Sequence, residues 1–129
     1  MKIEHVAIWC KDLELMRDFY QTYFNAKSND KYVNQKKGFS SYFLTLPEGA
    51  RLELMKMDSI EVLGVEAYKQ FTGLAHIAFQ VGSVEKVDEM TTALTLDGVE
   101  IIGQPRWTGD GYYEVVLLDP EGNHLELVA

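Results

Sequence analysis

The sequence predicts an α+β fold in which two tandem βαβββ units form barrel-like sheets with their helices on the outer face. Three observations predict it. The segment Pro47-Glu48-Gly49-Ala50-Arg51-Leu52-Glu53-Leu54 returns 73 residues later as Pro120-Glu121-Gly122-Asn123-His124-Leu125-Glu126-Leu127, with Pro, Glu, Gly, Leu, Glu and the closing Leu identical. His5-Val6-Ala7-Ile8 returns 71 residues later as His76-Ile77-Ala78-Phe79, so the two copies differ by only a two-residue insertion. Each half also carries the same order of local signals. The repeat divides the 129 residues into a first module over 1–57, a connecting segment over 58–72 and a second module over 73–129, within one structural domain.

Residues 2–10 alternate as a strand. Asp12 then offers an N-cap ahead of an apolar stripe at Leu13, Met16, Phe19, Tyr20 and Tyr23 with helical spacing. Three strand candidates follow, at about 30–36, 40–46 and 50–57, separated by turns at Lys37-Gly38 and Pro47-Glu48-Gly49. In the connecting segment a short helix is expected around Val62 to Tyr68. The second half opens with a strand at 74–81. Ser83 caps a helix whose stripe is Val84, Val87, Met90 and Leu94, and Asp97-Gly98 stops it. Strand candidates at about 99–104, 111–119 and 123–128 complete the unit, with turns at Gly109-Asp110-Gly111 and Pro120-Glu121-Gly122, where Pro presets φ and Gly supplies a positive one.

Composition narrows the function. A net charge of −8 and a pI near 4.8, with no Lys/Arg cluster, oppose any sequence-independent grip on phosphate backbones, so neither nucleic acid nor an anionic membrane is an expected partner. No apolar run approaches the roughly 20 residues that span a bilayer, and Met1-Lys2-Ile3-Glu4-His5 places polar groups where a signal peptide would be apolar. A cytoplasmic location is expected. The single cysteine, Cys10, lies in an apolar run and reads as a buried small hydrophobe rather than a nucleophile.

The period of two along a strand decides where the chemistry-bearing residues point. In Arg51-Leu52-Glu53-Leu54-Met55 the leucines share a face, and burying them against the helix sends Glu53 to the other side. Leu125 and Leu127 do the same for Glu126. On the opening strands, Val6 and Ile8, and Ile77, Phe79 and Val81, continue the helix-side row, which leaves His5 and His76 on the face away from the helices. Each half thus presents one imidazole and one carboxylate, a donor set suited to a first-row divalent metal and lacking the thiolates of a closed structural zinc site. The competing reading is that the glutamates are solvated on an exposed face and the histidines are packing relics. A carboxylate aimed twice at the same face, costly to desolvate unless paired, favours the metal. His124 shares the face of Glu126, with Arg51 in the equivalent place of the first half.

These residues resemble the vicinal oxygen chelate superfamily, which groups glyoxalase I, fosfomycin-resistance thiol transferases, extradiol dioxygenases and bleomycin-binding proteins. The resemblance rests on His5-Val6-Ala7-Ile8, Gly73-Leu74-Ala75-His76-Ile77-Ala78-Phe79 and Asp119-Pro120-Glu121-Gly122-Asn123-His124-Leu125-Glu126-Leu127, and spans essentially the whole chain. It implies a homodimer with cavities between subunits, where His5 and Glu53 of one chain meet His76 and Glu126 of the other around one divalent ion. The order His, Glu, His, Glu is similar to bacterial glyoxalase I and implies nickel or cobalt, with zinc as an alternative.

That resemblance implies a metal-dependent lyase or isomerase converting the hemithioacetal of methylglyoxal, or another 2-oxoaldehyde, and a thiol into a thioester. Glu126 would shuttle the proton between adjacent carbons, with Glu53 as its counterpart. Glutathione-using members carry a basic residue four places past the first ligand. Trp9 stands there in this chain, which points away from glutathione. Trp9, Arg106, Trp107 and His124 are the candidate substrate-binding residues, with a surface Arg106 and a packing Trp107 as the rival reading. The alternative functions are a thiol transferase or epimerase of the same superfamily, or a protein that binds a small molecule without chemistry.

Overall fold

The structure is a computed structural model that describes residues 1–62, 69–70 and 72–129. It contains two compact units, Met1–Gly64 and Val65–Ala129. The short helix expected around Val62 to Tyr68 lies, apart from Val62, outside the described residues.

The first unit runs β1 (His5–Trp9), α1 (Leu13–Phe24), β2 (Lys27–Ser28), β3 (Tyr32–Asn34), β4 (Phe39–Thr45) and β5 (Arg51–Met57). Asp12 caps α1 as expected, its side chain accepting from the Leu15 amide, and Asn25 ends the helix in the left-handed region at φ 57°. The buried stripe is Leu13, Met16, Phe19, Tyr20 and Phe24, with Phe24 rather than Tyr23 as its last buried member. It covers the face of the sheet that carries Tyr42, Leu44, Leu52 and Leu54, all buried. Strand order is β1-β5-β4-β2, with β3 also on β4, and β1 lies parallel to β5.

The edge of that sheet departs from the expected strand over 30–36. Only Tyr32–Asn34 pairs there, residues Gln35–Lys37 wind into a 3-10 turn, and the short β2 precedes them. Both pieces pair with β4 but in registers one residue apart. Asn29 bridges the gap: its amide donates to the Phe43 carbonyl at 3.1 Å and its side-chain oxygen accepts from the Phe43 amide at 2.8 Å.

The second unit runs β6 (Ile77–Gln80), α2 (Val84–Leu96), β7 (Ile101–Trp107), β8 (Tyr113–Leu118) and β9 (His124–Val128), in the order β6-β9-β8-β7 with β6 parallel to β9. Ser83 caps α2 by accepting from the Lys86 amide. Val87, Thr91 and Leu94 bury against Val115, Leu117, Leu125 and Leu127, and the Thr91 hydroxyl is satisfied by the Val87 carbonyl. β7 extends beyond the expected 99–104 and includes Arg106 and Trp107, with register shifts on either side of Gly103. The turns at Gly49 and Gly122 share a φ of 86°, so the duplication is preserved in the backbone as well as the sequence. Neither unit closes into a barrel; each sheet is open and its helix covers one face. No helix among the described residues is long and apolar enough to cross a membrane.

Candidate metal centre

The helix-covered face of each sheet is filled by leucines, and the alternation leaves the other face to the polar residues. In the first unit β5 and β1 pair so that Ala7 lies beside Glu53, with Phe43 of β4 on its other flank. The alanine methyl leaves space next to the carboxylate, and His5, two residues earlier on β1, reaches it: His5 Nε2 is 3.7 Å from Glu53 Oε2. The imidazole meets Phe43 edge-on at 5.4 Å.

The second unit repeats the arrangement. Ala78 lies beside Glu126, Val116 takes the place of Phe43, and His76 Nε2 is 3.2 Å from Glu126 Oε2. Exposure repeats too: both glutamate side chains are 15% exposed, and the histidines 39% and 43%. His76 sits one residue ahead of β6 rather than within the strand expected over 74–81.

Burial pushes the Glu126 carboxyl above its ordinary range, His76 opposes that shift, nearby Glu114 adds to it and Arg106 opposes it. Glu114 escaped the sequence reading because its counterpart one repeat earlier is Ser41. It is 12% exposed and accepts from Arg106 Nη2 at 3.0 Å.

Arg106 lies over β8 because Gly103 has no side chain. A Cβ there would stand 3.1 Å from Val116 Cγ2 and 3.3 Å from Arg106 Nη1. Arg106, Gly103, Val116 and His124 line a cleft of about 470 Å³ that also takes in Gln70 and Gln104. Val116 is the β8 neighbour of Glu126, so the cleft borders the His76–Glu126 pair. Trp107 does not join them. Adjacent residues on a strand point to opposite faces; its ring packs on Tyr113 at 5.3 Å, and the Tyr113 hydroxyl donates to Asp88 of α2 on the helix side. Trp9 shares the face of His5 and Ala7, is 42% exposed and meets Phe39 edge-on at 6.3 Å. Cys10 is buried.

Two ligands bound to one tetrahedral or octahedral ion at about 2.1 Å stand about 3.0–3.4 Å apart. The His76–Glu126 pair lies in that range and the His5–Glu53 pair needs to close by only a few tenths of an ångström. Imidazole with carboxylate is a donor set for first-row divalent metals. Each unit therefore fits half of a four-ligand centre. No three His, Cys, Asp or Glu side chains converge at metal distance among the described residues.

The protein is similar to the uncharacterized protein YqjT of Bacillus subtilis, 30% identical over 98% of each chain. Among solved structures it is similar to a glyoxalase family protein of Enterococcus faecalis, 26% identical with a TM-score of 0.78 over 99% of this chain and 97% of that one. It also shares the fold of the trypanothione-dependent glyoxalase I of Leishmania major, 24% identical with a TM-score of 0.75 over 99% of this chain and 86% of that one. The profile of the Glyoxalase/Bleomycin resistance protein/Dioxygenase superfamily matches residues 2–127, and with the repeated βαβββ units this places the chain in that superfamily.

Proposed function

We propose that the protein is a metal-dependent lyase or isomerase of the glyoxalase I type, which converts the hemithioacetal of methylglyoxal, or another 2-oxoaldehyde, and a thiol into a thioester. The observation that carries this reading is the twice-repeated imidazole–carboxylate pair, at 3.7 and 3.2 Å, on the open face of each sheet. Members of the superfamily often bind divalent metals and typically pair their units. We accordingly read the functional form as a homodimer in which His5 and Glu53 of one subunit and His76 and Glu126 of the partner subunit hold one ion, nickel or cobalt in preference to zinc.

A divalent ion held by these residues would supply electrostatic stabilisation for the negative charge that develops on two adjacent substrate oxygens. The protein's own part is to hold the reacting carbons and move the proton. Glu126 is the proton carrier, because it stands beside Ala78, where the absence of a larger side chain lets substrate approach the carboxylate. Glu53, beside Ala7, is its counterpart. Arg106 and His124, on the rim of the cleft beside Glu126, orient the substrate's thiol portion. Trp9 offers an exposed apolar surface on the face of His5, which suits a thiol that needs no cation at that place.

The test is reconstitution of purified protein with nickel or cobalt, followed by ultraviolet detection of thioester from methylglyoxal across a panel of thiols. Failure to take up either metal overturns the metal reading. Metal uptake with no thioester from any thiol overturns the glyoxalase reading and leaves the metal centre standing.

A further inference from the structure

His5 is held by a chain of side chains that its counterpart in the second unit lacks. Glu4 places Oε2 2.5 Å from His5 Nδ1. Its other oxygen accepts from Arg51 Nε at 2.9 Å and from Arg51 Nη2. The backbone builds this contact: the Arg51 amide donates to the Glu4 carbonyl at 3.0 Å, just ahead of the parallel β1–β5 pairing that sets His5 opposite Arg51. The Arg51 guanidinium in turn lies 4.3 Å from the centre of the Phe43 ring, and Phe43 meets the edge of His5. In the second unit Ala75 precedes His76 and no such bond can form.

A carboxylate only accepts, so the bond to Glu4 places the hydrogen on Nδ1. In the neutral ring Nε2 is then the lone-pair nitrogen, and Nε2 is the atom that faces Glu53. An outer carboxylate that fixes the tautomer and plane of a ligating histidine raises its basicity and reduces the ordering required when metal binds. We propose that Glu4, clamped by Arg51, is a positioning residue that locks His5 in the Nδ1–H tautomer and presents Nε2 to a divalent cation. The two histidines are thereby unequal: Glu4 presets His5, and Ala75 gives His76 no equivalent carboxylate. This rests on the metal-centre reading given above.

The experiment uses uniformly 15N-labelled, metal-free protein at mildly alkaline pH. Long-range 1H–15N spectra assign the tautomer of each histidine, and calorimetry with Ni2+ measures affinity. In the wild type His5 is the Nδ1–H form. In Glu4→Ala it shifts toward the Nε2–H form while His76 is unchanged, and Ni2+ affinity falls about tenfold, the low end of the effect of an outer-shell partner because Glu4 is more than half exposed. In Glu4→Gln the amide oxygen still accepts, so the tautomer and most of the affinity are retained. Glu4 precedes β1 and bonds to the sheet there through its backbone carbonyl, so all variants should fold, which circular dichroism checks.

An Nε2–H form of His5 in the wild type overturns the proposal. So does a Glu4→Ala variant with unchanged tautomer and affinity while His5→Ala abolishes Ni2+ binding, and in that case the metal centre itself survives. A wild type that binds no Ni2+ overturns the metal-centre reading and, with it, the role assigned to Glu4.

Discussion

Two neighbouring residues of β9 should respond in opposite ways to the same truncation. Leu127 is fully buried beneath α2 with Val87, Leu94, Val115 and Leu117, each no more than 1% exposed. Leu127→Ala therefore leaves a cavity whose walls are themselves packed and cannot collapse. Buried leucine truncations cost about 2–5 kcal/mol, with the spread set by how far the site relaxes; such an enclosed position belongs near about 3–4 kcal/mol. Glu126 points the other way. Its close polar neighbour is His76 at 3.2 Å, itself 43% exposed, and a half-exposed pair of that kind contributes about 0–1 kcal/mol, offset by the desolvation of the carboxylate. Glu126→Ala should leave metal-free stability within about 1 kcal/mol of the wild type while reducing nickel affinity by more than the roughly 10–100-fold typical of an outer-shell partner. Equilibrium urea unfolding in chelator, followed by circular dichroism, reads the first quantity and calorimetry the second. A Leu127→Ala loss below about 1 kcal/mol, or a Glu126→Ala loss of equal size, refutes the assignment of the two faces.

Removing either helix cap, in Asp12→Ala or Ser83→Ala, should cost about 1 kcal/mol by thermal or urea unfolding, since each side chain satisfies one first-turn amide. Gly49→Ala should cost about 1–2 kcal/mol from backbone strain alone, because φ is 86° and nothing lies within 4 Å of the new methyl; the matching substitution at Gly122, at the same φ, should carry the same backbone cost. The Lys31 ammonium holds the Glu14 carboxyl below its ordinary value, with Tyr42 adding a hydrogen bond. That contribution is present above the unfolded-state value near 4.5 and is lost as pH falls through the lower folded-state value. Glu14→Gln should therefore cost at most about 0.5 kcal/mol at neutral pH, the pair being largely solvent-exposed, and progressively less as pH falls below about 4.5, as followed by urea titration across that range.

The repeat made most of this architecture legible, because a residue that recurs on the same side of two leucines has its direction fixed twice. The direction of Glu53 and Glu126 was readable for that reason, and both N-caps from the apolar stripe each of them precedes. The edge strand of the first unit was not, since its register breaks by one residue and is carried across the break by the Asn29 side chain, a contact to β4 with no local signature. Arg106 and Trp107 were grouped as neighbours in sequence, but a strand sends adjacent side chains apart, and the shifts around Gly103 fix which one turns toward β8's polar face. Glu4 was invisible to a search for repetition because it occurs in one copy only, with Ala75 in the other.

The parallel pairing of β1 with β5, and of β6 with β9, bears on how the protein is made as well as on what it holds. In each unit the imidazole stands at the first strand and the carboxylate on the last, so the ligand pair exists only after every intervening element has been traversed and the two ends of the unit have joined. Such long-range parallel joining is intrinsically slow. A half-folded unit therefore has no pair to offer, and under the proposed metal-centre reading metal capture would report that the chain has finished folding; by mass action, an ion that bound only that finished form would hold it there.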